Sequence, residues 1–281
     1  MMEVLSLHYG PIFKRAFSKP TIFREFVRAT TGIDVNVDKI HTEYAYPQRI
    51  GNVNVQYDIF AEDPEQRIII EIQHVKEEDF YPRFLYYHML GIIEQVGNYD
   101  EYDPPRTVYT IVVLTSVPRD GSVNFSVATH MMNVIDEFNQ SHEIAPHRLI
   151  FMNPRKVNDK TPEAVKPWLE LIADSLDKKI DEAQYKQPSL KELIAEIQLK
   201  TMSMDESTAV KNESAWQKAE ARFRQEAKEE GREEGREEGK EEGRYEQQIQ
   251  SAKVMVSKGV DVSIISEAIG LTVEEIQALI V

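Results

Sequence analysis

The chain has 281 residues, 41% hydrophobic and 29% charged, enough for one sizeable core plus an appendage and somewhat richer in charge than an ordinary globular protein. It holds no run of about 18 apolar residues to span a bilayer, and Lys14, Arg15, Lys19 and Arg24 interrupt its first thirty residues, so neither a membrane-spanning segment nor a secretory leader is expected. The absence of cysteine excludes disulfides, thiol catalysis and cysteine-ligated metal centres, and fits a reducing compartment, the cytoplasm by default.

The net charge of −15 is unevenly spread. Residues 1–50 hold seven basic against five acidic residues, whereas residues 51–100 hold Arg67, Lys76 and Arg83 against ten acidic ones. An acidic centre suits a cation before it suits nucleic acid, whose non-specific affinity comes from Lys and Arg.

In chain order, Ile12, Phe13, Ala16 and Phe17, then Ile22, Phe23, Phe26 and Val27, recur at helical spacing on either side of Pro20, with Gly32 as the stop. From Asn52 the period becomes two: Val53, Val55, Tyr57 and Ile59 alternate with polar residues, which predicts a half-buried strand. Asp63-Pro64-Glu65-Gln66 has turn chemistry, and the isoleucine-rich stretch from Arg67 to Val75 completes a hairpin. A helix follows, with Pro82 in its first turn and an apolar stripe of Leu85, Met89, Ile92, Ile93 and Val96. Strands are expected over Thr107–Thr115 and His147–Met152, and a helix from Thr161-Pro162-Glu163 towards Tyr185. This order predicts an α/β fold, a mixed sheet flanked by helices.

After Pro188, Ser189 and Glu192 have capping-box spacing. Residues 227–244 are of low complexity, with Gly231, Gly235, Gly239 and Gly243 every four residues between acid–base pairs. An interior glycine costs a helix about 1 kcal/mol relative to alanine, more than the roughly 0.2–0.5 that each surface ion pair returns. Two readings stay open here: a solvated spacer, or a surface through which the chain forms a homo-oligomer. Two short helices close the sequence, Val262–Ile269 and one opened by a Thr272/Glu275 capping box, and the lack of Lys or Arg in the second favours packing over DNA contact. The expected divisions are a core over 1–187, an acidic glycine-punctuated helical segment over 188–250 and a small helical element over 251–281.

Chemistry concentrates in the hairpin. Pairing it about its turn sets Asp58 opposite Glu71, and like charges so placed are destabilising unless a cation lies between them. Glu71 also sits within Ile68-Ile69-Ile70-Glu71-Ile72, where an uncompensated charge is costly. Mg²⁺ is commonly held by one or two carboxylates with waters and phosphate oxygens, the ligand set this pair offers. Gln73, two residues on, donates a hydrogen bond but no positive charge, so it suits orienting a water or a phosphate oxygen. Solvated strand-edge carboxylates are the bland reading of the same residues.

Phe13-Lys14 with Phe17, the segments Tyr57-Asp58-Ile59-Phe60-Ala61 and Ile70-Glu71-Ile72-Gln73, and Arg83 with Tyr86-Tyr87 and Glu94-Gln95 resemble the Rpn family of recombination-promoting nucleases and transposases, within the PD-(D/E)XK superfamily. The resemblance covers roughly residues 10–120 and continues in the glycine-punctuated helix. It implies a restriction-endonuclease-like fold and Mg²⁺-dependent DNA cleavage, with Mn²⁺ as a substitute ion. It also implies metal ligation by Asp58, Glu71 and the backbone carbonyl of Ile72. Gln73 stands where the superfamily has lysine and where this family commonly has glutamine. Superfamily members often add an acid from the first helix, for which Glu25 is the candidate, against a plain surface role. Arg83 is a phosphate contact or an ordinary exposed helix arginine, and Tyr86, Tyr87 and Tyr99 are DNA-groove residues or core. His41, His74 and His88 show no metal-binding spacing.

Overall fold

A computed structural model describes residues 1–45, 55–73, 80–96, 103–116 and 123–279. The expected strand residues Asn52, Val53, His74 and Val75, and Tyr99, lie outside these. The chain forms two compact units, Met1–Ser214 and Ala215–Val281.

The first unit runs β1 (Met2–Glu3), α1 (Gly10–Phe17), α2 (Pro20–Thr31), β2 (Ile40–Ala45), β3 (Gln56–Glu62), β4 (Gln66–Gln73), α3 (Phe80–Ile93) and β5 (Thr107–Leu114). It continues through β6 (Val127–Ile135), β7 (Ser141–Met152), α4 (Lys166–Leu176), β8 (Lys179–Ile180), α5 (Pro188–Glu196) and the first turns of α6 (Met204–Ser257). Six strands form one sheet in the order β2-β3-β4-β5-β7-β6. β2, β3 and β4 are antiparallel neighbours, β4, β5 and β7 are parallel, and β6 runs antiparallel to β7. The mixed α/β sheet expected from the sequence is therefore present, and α3 supplies the crossover that parallel β4 and β5 require.

Apolar side chains separate onto the two faces of the sheet. Ile68, Ile70, Ile72, Ile111 and Val113 pack with α1, α2, α4 and α5 residues such as Phe13, Phe17, Phe26, Trp168 and Leu193. Ile69, Val108 and Val112 pack on the other face with Phe84, Tyr87 and Leu90 of α3. Because Leu190, Leu193, Ile194 and Ile197 join the first of these cores, packing carries it past residue 187. Gly91 lets α3 approach closely, since a Cβ there would lie 3.0 Å from Ile69 Cδ1.

Four local expectations are corrected. The buried stripe of α3 is Phe84, Tyr87, His88, Leu90 and Ile92, with Met89 packed partly buried against it, while Leu85 and Ile93 are exposed, so the buried face keeps Met89 and Ile92 of the expected stripe and is centred on the aromatic side instead. The helix expected from Thr161 towards Tyr185 spans only Lys166–Leu176, and Thr161 is buried with its hydroxyl bonded to Ser126 Oγ at 2.8 Å and accepting the Asn158 N–H at 3.0 Å. Gln187, not Ser189, precedes the first turn of α5, with Pro188 opening the helix. β2 and β6 are strands that the sequence pattern did not reveal, being largely exposed and lacking clean alternation.

In the second unit, the end of α6 packs with α7 (Val262–Ile269) and α8 (Val273–Ala278) around Ala252, Ile265, Leu271 and Ile276. The Thr272/Glu275 capping box is formed, and Gly270 closes α7 in the left-handed region at φ 80°. A Cβ at Gly231, Gly235, Gly239 or Gly243 would meet no atom within 4 Å.

Candidate functional site

The site grows from an irregularity in β3. Ile59 pairs with Ile70 and Glu62 with Arg67, the register expected from the turn, but the ladder ends one pair short of Asp58 and Glu71. On the other side, β2 pairs Thr42 with Ile59 and Tyr44 with Tyr57, skipping Glu43 and Asp58. Glu43 sits in the left-handed region at φ 53°, an uncommon conformation for a residue with a Cβ. The regular alternation expected along this strand turns over here: Tyr57 and Phe60 join the α3-side core, whereas Ile59 and Ala61 join the opposite one. The β2–β3 register is the same on both sides of this gap, so the reversal of faces is a local twist of the backbone at Glu43 and Asp58 without an inserted residue.

Side chains replace the missing ladder bonds. The Ile72 N–H donates to Asp58 Oδ2 at 2.9 Å, and the Asp58 N–H donates to Glu71 Oε1 at 3.2 Å. The two carboxylates expected to share the hairpin are thus brought together through crossed side-chain-to-backbone bonds. The N–H and C=O of an extended residue point to the same side, so the Ile72 carbonyl faces the edge where Asp58 lies.

Glu71 is 3% exposed and Gln73 4%, whereas the Asp58 side chain is 26% exposed. Burial and then the nearby Asp58 charge push the Glu71 carboxyl well above the usual range, offset in part by the Asp58 N–H and by the Arg83 and Lys14 charges. Asp58 is raised too, chiefly by burial, with the Ile72 N–H and Lys14 opposing. Among the described residues no cation lies at ion-pair distance from Glu71. Lys14 Nζ is 3.9 Å from Asp58 Oδ1 and 2.7 Å from Glu43 Oε1. Gln73 is fixed through its backbone, its carbonyl accepting from the Thr115 N–H at 2.9 Å and the Thr115 hydroxyl at 3.2 Å, and that hydroxyl lies 3.1 Å from His8 Nδ1.

Among the described residues no three His, Asp or Glu side chains converge as a metal-ligand group. The donor set on offer is two carboxylates and a carbonyl. That set of oxygen donors fits a hard divalent cation completing its shell with water and substrate oxygen, and it offers no nitrogen or sulfur ligand to a softer metal. Buried Glu71 beside the partly exposed Asp58 gives the physical reason for a cation, since a divalent ion between them would offset the penalty that raises both carboxyls.

The remaining candidates separate. Arg83 is exposed, its guanidinium lying 5.4 Å from the ring of Tyr87 and 5.6 Å from that of Phe84, and its charge is felt by both Asp58 and Glu71. Tyr87 is core, its carbonyl accepting from the Tyr57 hydroxyl at 3.1 Å, and Tyr86 packs partly buried against the same core. Glu94 pairs with Arg67, and Gln95 bonds the Gly91 and Arg106 carbonyls, so both are structural. Glu25 is half-exposed and pairs with Arg28. The acids brought near Lys14 instead are Glu43 and Glu213, the latter from α6, which accepts the Gly10 N–H at 3.1 Å and feels both Lys14 and Asp58.

No local sequence pattern marks Glu43, Glu213 or His8, because only the left-handed backbone at Glu43 in β2 and the return of α6 to α1 bring the two acids here. The basic opening segment is largely neutralised: Arg15 pairs with Glu206, Lys19 with Glu196, and Arg28 with Glu25 and Asp34.

Comparison with characterised proteins and with solved structures finds no match. The model of the PD-(D/E)XK nuclease family transposases matches residues 13–223, which takes in the second half of α1, the whole six-stranded sheet and the first turns of α6. With well over half of its 281 residues matched and the expected mixed sheet in place, the chain belongs to the PD-(D/E)XK nuclease family transposases.

Proposed function

We propose that the protein is a Mg²⁺-dependent DNA endonuclease, acting in recombination or transposition, with Asp58, Glu71 and the Ile72 carbonyl as its metal ligands. The observation carrying this reading is Glu71: a buried carboxylate beside a second carboxylate, placed at the carboxyl end of β4, where ligand sites of open α/β sheets lie. When bound, the metal supplies a water of lowered pKa and neutralises charge developing on the phosphate. Asp58 and Glu71 hold their positions through the crossed backbone bonds, so little reorganisation is needed during reaction. Gln73 orients the attacking water or a phosphate oxygen by its carboxamide, and Arg83, exposed on α3 near the pair, serves as a phosphate contact.

Gln73 itself favours a second reading, a catalytically inactive DNA-binding or regulatory oligomer on the same fold, since it lacks the charge of the superfamily's lysine. Plasmid nicking in Mg²⁺ and Mn²⁺, with Asp58→Ala and Glu71→Ala beside the parent, decides between them. Cleavage by the parent alone, all three being folded, supports the nuclease. DNA retention in a gel without cleavage by any of them selects the binding protein.

A further inference from the structure

We propose that Lys14, carried by α1, supplies the positive charge at the reacting phosphate that Gln73 cannot. The proposal rests on the nuclease reading above. In the superfamily pattern this charge comes from the strand bearing the second carboxylate. Here that strand ends in a neutral carboxamide, and a cation reaches Asp58, the partner of Glu71, from a different element.

Three observations support this. First, the Lys14 ammonium is 3.9 Å from Asp58 Oδ1, inside ion-pair range but too long for a hydrogen bond, and its charge is felt by Asp58, Glu71 and Glu213 alike. Arg83, the other cation that both carboxylates feel, lies against the rings of Phe84 and Tyr87 instead. Second, an ammonium has three donors and the 2.7 Å bond to Glu43 uses one of them, so an anionic oxygen entering beside Asp58 finds donors to meet it. Third, the lysine is positioned by a rigid frame. Phe13 and Phe17 stack at 4.2 Å in the core, Pro11 lies in the first turn, and Glu213 holds the Gly10 N–H. Glu43, which anchors the ammonium, does so from the left-handed backbone opposite Asp58, the kind of strain that surrounding structure retains at working sites.

A purely structural lysine, present only to neutralise Asp58, predicts different behaviour. The test uses the full chain with supercoiled plasmid and Mg²⁺ under single-turnover conditions, comparing the parent with Lys14→Gln, Lys14→Arg and the double variant Lys14→Gln/Gln73→Lys. Mn²⁺ affinity of each is measured by calorimetry. We expect Lys14→Gln to slow cleavage about 10²-fold, a typical loss for one charge-stabilising group. It should bind Mn²⁺ at least as tightly as the parent, because a competing cation has been removed. Lys14→Arg should keep part of the rate, and Gln73→Lys should restore the double variant to within about tenfold of the parent, since the charge returns from the neighbouring strand. A Lys14→Gln variant that cuts as fast as an active parent overturns the proposal and leaves the nuclease reading intact. So does a loss that neither Lys14→Arg nor Gln73→Lys repairs, which makes Lys14 a structural residue. A parent that cuts nothing removes both readings together.

Discussion

The two ends of β4 each bury a charge, and they treat it in opposite ways. At the amino end Arg67, 6% exposed, bonds Glu62 and Glu94 and donates to the Gly91 carbonyl at 2.9 Å, so its charge is met within the fold. At the carboxyl end Glu71, 3% exposed, has a second carboxylate for a neighbour and its compensating cations further off. A buried ion that is fully partnered belongs to the architecture. A buried ion whose nearest charged neighbour has the same sign is stabilised only by something that arrives, and that is how the site differs from the scaffold holding it.

The largest effect that would break this comparison is on stability at Arg67. Arg67→Ala removes the closest cation of Glu62 and Glu94, leaving Arg106 at 4.0 Å from Glu62, and strips the buried Gly91 carbonyl of its donor, so it is expected to lower unfolding free energy by about 3 kcal/mol in urea melts. Glu71→Gln in metal-free protein should cost nothing, or raise stability, by relieving repulsion from Asp58. Equal losses at both ends would erase the distinction. The two ends exchange ranks in cleavage: Asp58→Asn or Glu71→Gln should reduce the rate by about 10²-fold or more, as loss of a metal ligand or its support does.

A third prediction concerns His88 of α3, buried beside β5 with Nδ1 2.9 Å from Thr110 Oγ1 and near His147 and His130. Burial first, then those two histidines, lowers its pKa to about 3, so the folded state holds it neutral. A depressed folded pKa contributes stability that is complete above the ordinary value of 6.5 and is lost as pH falls towards 3. Acid titration of unfolding should therefore steepen below pH 6.5 by up to about 1.4 kcal/mol per unit, and His88→Phe should remove that component. The smallest effect lies in α6, where Gly235→Ala has open space for its Cβ and should stabilise the second unit by about 1 kcal/mol, read as a rise in its thermal midpoint.

The hairpin and its carboxylates were legible in the sequence because the turn at Asp63–Gln66 fixes the register and the isoleucine run fixes burial. The Asp58 site was legible only in part. Alternation predicts one continuous face through Tyr57 and Ile59, and nothing in the sequence marks Glu43 as the residue whose left-handed backbone turns the strand over. β2 was missed because it lies at the sheet edge and is mostly exposed, so hydrophobic period carried no signal. The aliphatic residues of α3 mark its buried face only in part: Ile92 lies in it and Met89 borders it, but Phe84, Tyr87 and His88 share the stripe while Leu85 and Ile93 face out. Glu213 reaches α1 from a helix far along the chain, a proximity that no local pattern encodes.

The most direct test of the account is thermal unfolding of the parent and of Glu71→Gln with increasing Mn²⁺. The account predicts that Mn²⁺ raises the parent's midpoint, with a stabilisation of about 2.7 kcal/mol at one hundred times its dissociation constant, and leaves the variant unmoved. A parent whose midpoint does not respond to Mn²⁺, or a variant that responds equally, would contradict it and reduce Glu71 to a structural carboxylate.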